Sequence, residues 1–192
     1  MKPILLRAPL RAATSIVASI AAAAYGWAGF LALSGNAHVV IPGELYRSAQ
    51  LSAPSLETFI EREGIRTVVN LKGARPGKPW YDAERRVAET AGVQLVDFEW
   101  RAQDEVPPAD VAAFIETMRT LAKPILIHCH AGADRTGLAV ALYLAGVTGA
   151  DEETAEAQLS FWYGHVGLPF TAAWPMDLTF EREEAGLGYQ DS

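Results

Sequence analysis

One cysteine followed at a fixed distance by an arginine is the part of this sequence best suited to chemistry. Cys129 is the only cysteine in 192 residues, and five residues separate it from Arg135, which directly precedes Thr136 and Gly137. Apolar runs on both sides predict a strand, a tight loop and a helix. Such a loop leaves backbone N–H groups unpaired at the helix N-terminus, where they bind anions such as phosphate. A thiolate and a guanidinium facing one phosphate would allow attack on phosphorus.

Each residue of this loop has a predicted role. The thiolate of Cys129 is the nucleophile, and the helix N-terminus and Arg135 both stabilise that charged form. The Thr136 hydroxyl can donate to the departing sulfur, cap the next helix, or do both. The predicted phosphate ligands are His130, Ala131, Gly132, Ala133, Asp134 and Arg135. Because loop amides and Arg135 neutralise the phosphoryl oxygens, we expect neither a metal ion nor another cofactor.

The stretch from His128 to Gly137 resembles the phosphate-binding loop of the cysteine-dependent protein tyrosine phosphatase superfamily, in particular its bacterial dual-specificity-like branch. Segments 43–51 and 64–73 are also similar to that branch, so the resemblance covers about residues 38–185. It implies a phosphomonoester hydrolase that acts through a phosphocysteine, on phosphotyrosine in proteins or with dual specificity. A phosphoinositide or inositol phosphate phosphatase is the alternative, and a phosphate-binding module without turnover is a second one.

The oxygen that leaves the phosphate needs a proton, which a carboxylic acid normally supplies. In related lipid phosphatases an aspartate two residues before a Pro-Pro pair has this role, and Asp104 has that placement in the loop 100–108. Glu105, Asp97 and Asp134 stay open as alternatives. The Trp-Pro-Asp signature of larger tyrosine phosphatases does not occur in the sequence.

Several other side chains are expected near the loop or behind it. Lys72 and Arg75 follow a predicted strand, and ligands of parallel α/β sheets collect at such strand ends. These two residues, and Arg47 after another strand, either attract phosphate or belong to solvated loops. The cluster 161–165 is expected to pack as part of the C-terminal region.

Alternating strands and helices predict an α/β domain with a central, largely parallel sheet of about four to five strands flanked by helices. An N-terminal hydrophobic helix precedes it. The predicted strands cover 39–41, 45–46, 67–71, 93–98 and the run that ends before Cys129, and the predicted helices cover about 52–63, 81–91, 111–121, 136–147 and a segment capped by Asp151.

The first 37 residues differ in composition from the rest. Residues 12–33 carry no charged side chain and are long enough to span a membrane as a helix. The basic residues before them, Lys2, Arg7 and Arg11, predict a single-pass anchor with the domain on the extracytoplasmic (periplasmic) side. The alternative is a signal peptide cleaved at 35–37, which would give a secreted protein. We therefore predict an anchor or signal segment with its linker over 1–37 and a phosphatase domain over 38–192.

The charge balance limits the partners. The formal net charge is −7, which argues against nucleic acid as a partner. The expected partners are a phosphorylated protein or a phosphoinositide as substrate, and a membrane through residues 12–33.

Overall fold

The protein consists of two compact units. The structure, a computed structural model, describes residues 7–189. The boundary between the units lies between Ser34 and Gly35. Residues 35–37, which the sequence analysis assigns to a linker, therefore belong to the second unit by their contacts.

The first unit contains helix α1 (Arg7–Ser34). Its stretch Ser15–Ser34 is long and apolar enough to cross a membrane, by length and composition. A signal sequence has the same features, so the helix agrees with either prediction for this segment. The side chains of Lys2, Arg7 and Arg11, which decide the predicted orientation, lie outside the part that the structure describes.

The second unit is an α/β domain. In chain order its elements are β1 (His38–Ile41), β2 (Leu45–Ser48), α2 (Ala53–Glu63), β3 (Thr67–Asn70), α3 (Pro79–Ala91), β4 (Gln94–Asp97), α4 (Pro108–Thr120), β5 (Ile125–His128), α5 (Asp134–Tyr143), α6 (Glu152–Glu156) and α7 (Trp174–Leu187). A π-helical turn, Leu144–Thr148, continues α5, and a 3-10 turn covers Phe161–Tyr163.

The sheet brings four strand ends together. Its order is β1-β2-β5-β3-β4, with β1 antiparallel to β2 and the other neighbours parallel. The last residues of the parallel strands, Ser48, His128, Asn70 and Asp97, are in register across the sheet. The loops that follow these strands therefore start from one edge, where α/β proteins bind ligands. The prediction of a largely parallel sheet of four to five strands is confirmed.

Strand β5 is buried on both faces of the sheet. Ile125, Ile127 and Cys129 belong to the core that includes side chains of α4, α5 and α7. Leu126 belongs to the second core, which includes side chains of α2 and α3. The alternation of side chains along the strand also turns His128 toward α3, where its Nε2 lies 3.2 Å from Glu84 Oε2. The cysteine and the preceding histidine thus lie on opposite sides of the sheet.

Two helices differ from the prediction in ways that matter for the site. Helix α5 begins at Asp134 with Ala133 at its N-cap, so Thr136 lies inside the helix and does not cap it. Helix α7 was not predicted, although its buried Met176, Thr179 and Phe180 have helical spacing.

Candidate active site

The loop after β5, residues 129–135 and here called the cysteine loop, is held by its carbonyl groups. The carbonyl of His130 accepts from the Gln50 N–H at 3.2 Å, that of Ala131 from Asn36 Nδ2 at 2.9 Å, and that of Gly132 from Arg47 Nη2 at 2.9 Å. The C=O of a trans peptide points away from the N–H that follows it. The N–H groups of residues 131–133 therefore point to the other side of the loop, as an anion-binding loop requires.

Two side chains where the cysteine loop meets α5, Arg135 and Thr136, have unsatisfied polar atoms. Cys129 is only 2% exposed, and Thr136 is fully buried. Within the described residues, Thr136 Oγ1 and Arg135 Nε are buried without a hydrogen-bond partner. Arg135 Nη1 donates to the Trp100 carbonyl at 3.2 Å. Since buried polar groups are normally paired, Thr136 Oγ1 and Arg135 Nε are candidate donors to a bound anion.

A second arginine supports the loop from behind. Arg47 is fully buried, and besides Gly132 it donates to Gln158 Oε1 at 2.8 Å. Its guanidinium carbon lies 3.7 Å from the ring centre of Tyr163. Burial lowers the pKa of Arg47 to about 10, so this residue still carries its charge at neutral pH. Sequence reasoning left its role open; in the structure Arg47 is a positioning residue for the loop.

The segment after the hydrophobic helix also supports the loop. Asn36 is 1% exposed and has a left-handed backbone with φ of 45°. Besides Ala131, its Nδ2 donates to the Tyr163 carbonyl at 2.8 Å, and its Oδ1 lies 2.9 Å from His38 Nε2. The sequence analysis places Asn36 in a linker and missed this role. The only local signal is the tolerance of asparagine for the left-handed region.

A buried histidine joins the loop to α7. His165 is 2% exposed; its Nδ1 lies 2.9 Å from Asp134 Oδ1 and its Nε2 3.0 Å from Asp177 Oδ2. Burial alone would lower the pKa of His165, but the hydrogen bonds with the two carboxylates outweigh burial and raise it to about 9. An imidazolium therefore binds both carboxylates at neutral pH, and Asp134 is held beside Arg135 as one end of an ion pair.

This pairing predicts a pH-dependent stability. A folded-state pKa of His165 near 9, above the ordinary 6.5, gives a stabilisation that is fully present below pH 6.5 and is lost as pH rises through 9. We expect the free energy of unfolding, measured in urea, to fall across that window by about 2 kcal/mol more in the wild type than in His165→Gln. Equal slopes would contradict the ion pair.

Asp104 lies in the loop 100–107, here called the acid loop, which contacts Arg135 through Trp100. Its carboxylate lies 3.2 Å from Arg101 Nε and is 55% exposed. The acid loop encloses a cavity of about 230 Å³ that Asp104 helps to line. The Asp104 carboxylate is therefore largely exposed, on a loop that Arg135 contacts.

The alternative acids have structural partners. Asp97 accepts from Asn70 Nδ2 at 2.7 Å and from the Tyr81 hydroxyl at 2.6 Å. Glu105 lies 2.5 Å from Arg182 on α7. Together with the pairing of Asp134 described above, these contacts hold each of the three carboxylates in a structural role.

The two basic residues after β3, Lys72 and Arg75, have different surroundings. Lys72 donates to Gln50 Oε1, and its Nζ lies 3.3 Å from the ring centre of Trp80. Burial lowers the pKa of Lys72, and the charges of Cys129 and Arg135 also act on it. Arg75 is instead paired with Glu99 at the surface, 2.5 Å away. Lys72 thus adds a cation within electrostatic range of the thiol.

Comparison with known proteins gives the family of this fold and loop. A model of the tyrosine phosphatase family matches residues 28–158. The dual specificity protein phosphatase TpbA of Pseudomonas aeruginosa is 31% identical over 153 residues, which cover 79% of this chain. The match covers 63% of that relative, so the chain spans less than two thirds of its length.

Solved structures give the same fold. A crystal structure of P. aeruginosa TpbA in complex with phosphotyrosine has a TM-score of 0.64 at 24% identity, covering 80% of this chain and 88% of that chain. The core catalytic domain of the PP-IP phosphatase SIW14 from S. cerevisiae has a TM-score of 0.57 at 17% identity, covering 81% of this chain and 94% of that one. The family model matches well over half of the sequence and includes the cysteine loop, which confirms the resemblance, and the chain belongs to the tyrosine phosphatase family.

Proposed function

We propose that this protein hydrolyses phosphomonoesters through a phosphocysteine on Cys129, with phosphotyrosine in proteins as the leading substrate and dual specificity as its extension. The observation that carries the proposal is the cysteine loop itself. Its carbonyls accept hydrogen bonds on one side, while Arg135 Nε and Thr136 Oγ1 are buried and have no partner among residues 7–189. A phosphate beside the thiol would satisfy these donors and the loop amides together.

The burial of the thiol supports an aryl phosphate. At 2% exposure, Cys129 is reached more easily by a phosphoryl group at the end of a long, planar side chain than by one on a short side chain. The similar protein TpbA is named a dual specificity phosphatase, and its structure is in complex with phosphotyrosine. Both observations favour phosphotyrosine.

In the proposed first step, the thiolate of Cys129 attacks phosphorus. The S–P bond forms, the bond from phosphorus to the tyrosyl oxygen breaks, and Asp104 gives its proton to that oxygen. Arg135 and the amides of His130, Ala131, Gly132, Ala133 and Asp134 bind the three phosphoryl oxygens as charge shifts among them.

In the proposed second step, water replaces sulfur. Its oxygen bonds to phosphorus, its proton passes to the Asp104 carboxylate, and the S–P bond breaks to release phosphate and the thiolate. The Thr136 hydroxyl donates a hydrogen bond to the sulfur and thereby stabilises the departing thiolate. The step needs no metal, because the phosphoryl charge is already neutralised by the loop.

The proton donor has a leaving-group test. Asp104→Asn should lower kcat/KM for a phosphotyrosine peptide by about 10²- to 10³-fold, because kcat/KM reports formation of the phosphocysteine, in which the tyrosyl oxygen then leaves unprotonated. The kcat/KM for p-nitrophenyl phosphate, whose leaving group needs no proton, should fall much less. Asp110→Asn, in the first turn of α4, is the matched control and should leave both rates unchanged. Equal slowing of the two substrates by Asp104→Asn would point to another acid.

Lys72 is the reason to keep phosphoinositides or inositol phosphates as the second candidate. Its ammonium interacts electrostatically with Cys129 and Arg135, and at that position it could bind another phosphate of a multiply phosphorylated ring. Multiply phosphorylated inositol substrates need a second cationic site for their further phosphates, and phosphotyrosine does not.

A substrate panel decides between these candidates. We expect the full chain in detergent to release phosphate from a phosphotyrosine peptide with a kcat/KM at least about tenfold above that for phosphoserine peptides, phosphoinositides or inositol phosphates. Faster turnover of an inositol-based substrate, lowered by Lys72→Gln, would favour the second candidate. Phosphate binding without turnover of any substrate would indicate a binding module.

We further propose that residues 1–37 anchor the protein uncleaved in a membrane, with the phosphatase domain, residues 38–192, on the extracytoplasmic side. The apolar stretch Ser15–Ser34 supports a span. Cleavage at 35–37 would remove Asn36, whose amide binds the carbonyls of Ala131 and Tyr163. The loss of that support from the cysteine loop argues against the secreted alternative.

A further inference from the structure

A stretch of the phosphatase unit lacks acidic residues, lysine and arginine and is rich in exposed apolar side chains. From Ala157 to Met176 the sequence contains no Asp, Glu, Lys or Arg, in a chain of net charge −7. Within it, residues 161–170 form what is here called the apolar segment. Its exposed side chains are Phe161 at 55%, Trp162 at 69%, Val166 at 43%, Leu168 at 43% and Phe170 at 85%. Clustered exposure of this kind marks an interaction surface.

The apolar segment is held in one conformation by polar contacts. Thr171 Oγ1 donates to the Val166 carbonyl at 2.8 Å and accepts from the Leu168 N–H at 3.2 Å. Within the segment, His165 is bound by the carboxylates of Asp134 and Asp177. The exposed side chains are therefore presented by an ordered turn.

The chain enters the phosphatase unit beside this segment. The apolar helix ends at Ser34, and two residues later Asn36 donates to the Tyr163 carbonyl at 2.8 Å, in the middle of the apolar segment. The same amide donates to the Ala131 carbonyl at 2.9 Å. Asn36, where the chain enters this unit, thus binds both the apolar segment and the cysteine loop.

We propose that the apolar segment inserts into the lipid interface of the membrane that α1 spans; the inference rests on the anchor proposed above. Trp and Phe side chains are favoured at that depth, and the segment itself contributes no carboxylate that anionic headgroups would repel. The proposed occupant is lipid, because the chain connects α1 directly to residues beside this segment and so keeps the segment near the bilayer. A soluble protein partner would have to compete with lipid for the same side chains. Membrane docking then keeps the cysteine loop near the lipid surface, in reach of phosphates that lie close to the membrane.

The test measures depth and does not need turnover. The full chain carrying Cys129→Ser and Phe170→Cys is labelled with an environment-sensitive fluorophore in phosphatidylcholine vesicles with or without brominated acyl chains. We expect bromine to quench this probe at least about twofold more than a probe at Glu116→Cys, since interfacial side chains reach the acyl boundary. Glu116 is the matched control, because its side chain on α4 is 70% exposed.

Flotation of the same vesicles separates the two proposals. A chain that floats with its vesicles, with the Phe170 probe quenched and the Glu116 probe not, supports docking. A chain that floats with both probes equally quenched or unquenched overturns docking and leaves the anchor standing. A chain that does not float overturns the anchor, and docking with it. Adding Trp162→Ser should reduce quenching at Phe170, because it removes a large apolar side chain from the segment.

Discussion

Replacing Cys129 by serine is expected to abolish turnover while phosphate binding remains. A serine hydroxyl is a far weaker nucleophile than the thiolate of the proposed mechanism, so we expect kcat to fall by about 10⁴-fold or more. The groups proposed to bind phosphate, Arg135, Thr136 and the loop amides, are unchanged by the substitution. Single-turnover kinetics with a phosphotyrosine peptide measures the first effect, and calorimetric titration with inorganic phosphate measures the second.

A direct trap strengthens this test. Rapid acid quenching of the wild type with labelled substrate should leave the label on the peptide that contains Cys129, and Cys129→Ser should leave none there. Thr117→Ser, on the surface of α4, is purified in parallel to exclude a contaminating phosphatase, and it should retain full activity. Turnover by Cys129→Ser above the level of a mock purification would disprove the phosphocysteine mechanism.

The sequence predicts the part of the site that is local in the chain. Apolar β5, the glycine-containing loop and the start of α5 follow one another within about fifteen residues, so side-chain periodicity and helix-terminus physics suffice to predict them. The alternation of side chains along a strand also accounts for Cys129 and His128 lying on opposite sides of the sheet. The parallel sheet follows from the order of strands and helices.

The supports of the cysteine loop could not be predicted in this way. Asn36, Arg47 and His165 come from three distant parts of the chain and meet the loop only after the sheet has formed. One sequence contains no signal that pairs residue 36 with residue 131. Helix α7 is a different case, since its buried positions have helical spacing and were overlooked.

A methyl group added at Gly132 is expected to damage catalysis more than it damages the fold. Gly132 has a φ of 71°, and an added Cβ would lie 2.5 Å from the Ala49 nitrogen and 2.6 Å from the Ser48 carbonyl carbon. Ordinary contact begins near 3.5 Å, and both neighbours are backbone at the end of β2, so the cysteine loop must move by about 1 Å. We expect kcat/KM of Gly132→Ala to fall by about 10²-fold, because phosphate and thiolate are no longer aligned.

Gly43 separates the two effects of that methyl group. It has nearly the same φ, 72°, but nothing lies within 4 Å of an added Cβ. Gly43→Ala should therefore have the cost of the left-handed backbone alone, about 1–2 kcal/mol of unfolding free energy, with kcat/KM unchanged. If both variants lost the same stability and Gly132→Ala kept its kcat/KM, close seating of the loop on β2 would not be needed for catalysis. If only Gly132→Ala loses kcat/KM, the close contact of Gly132 with Ser48 and Ala49 determines the position of the loop amides. The left-handed backbone alone would not explain that result, because Gly43 has nearly the same φ.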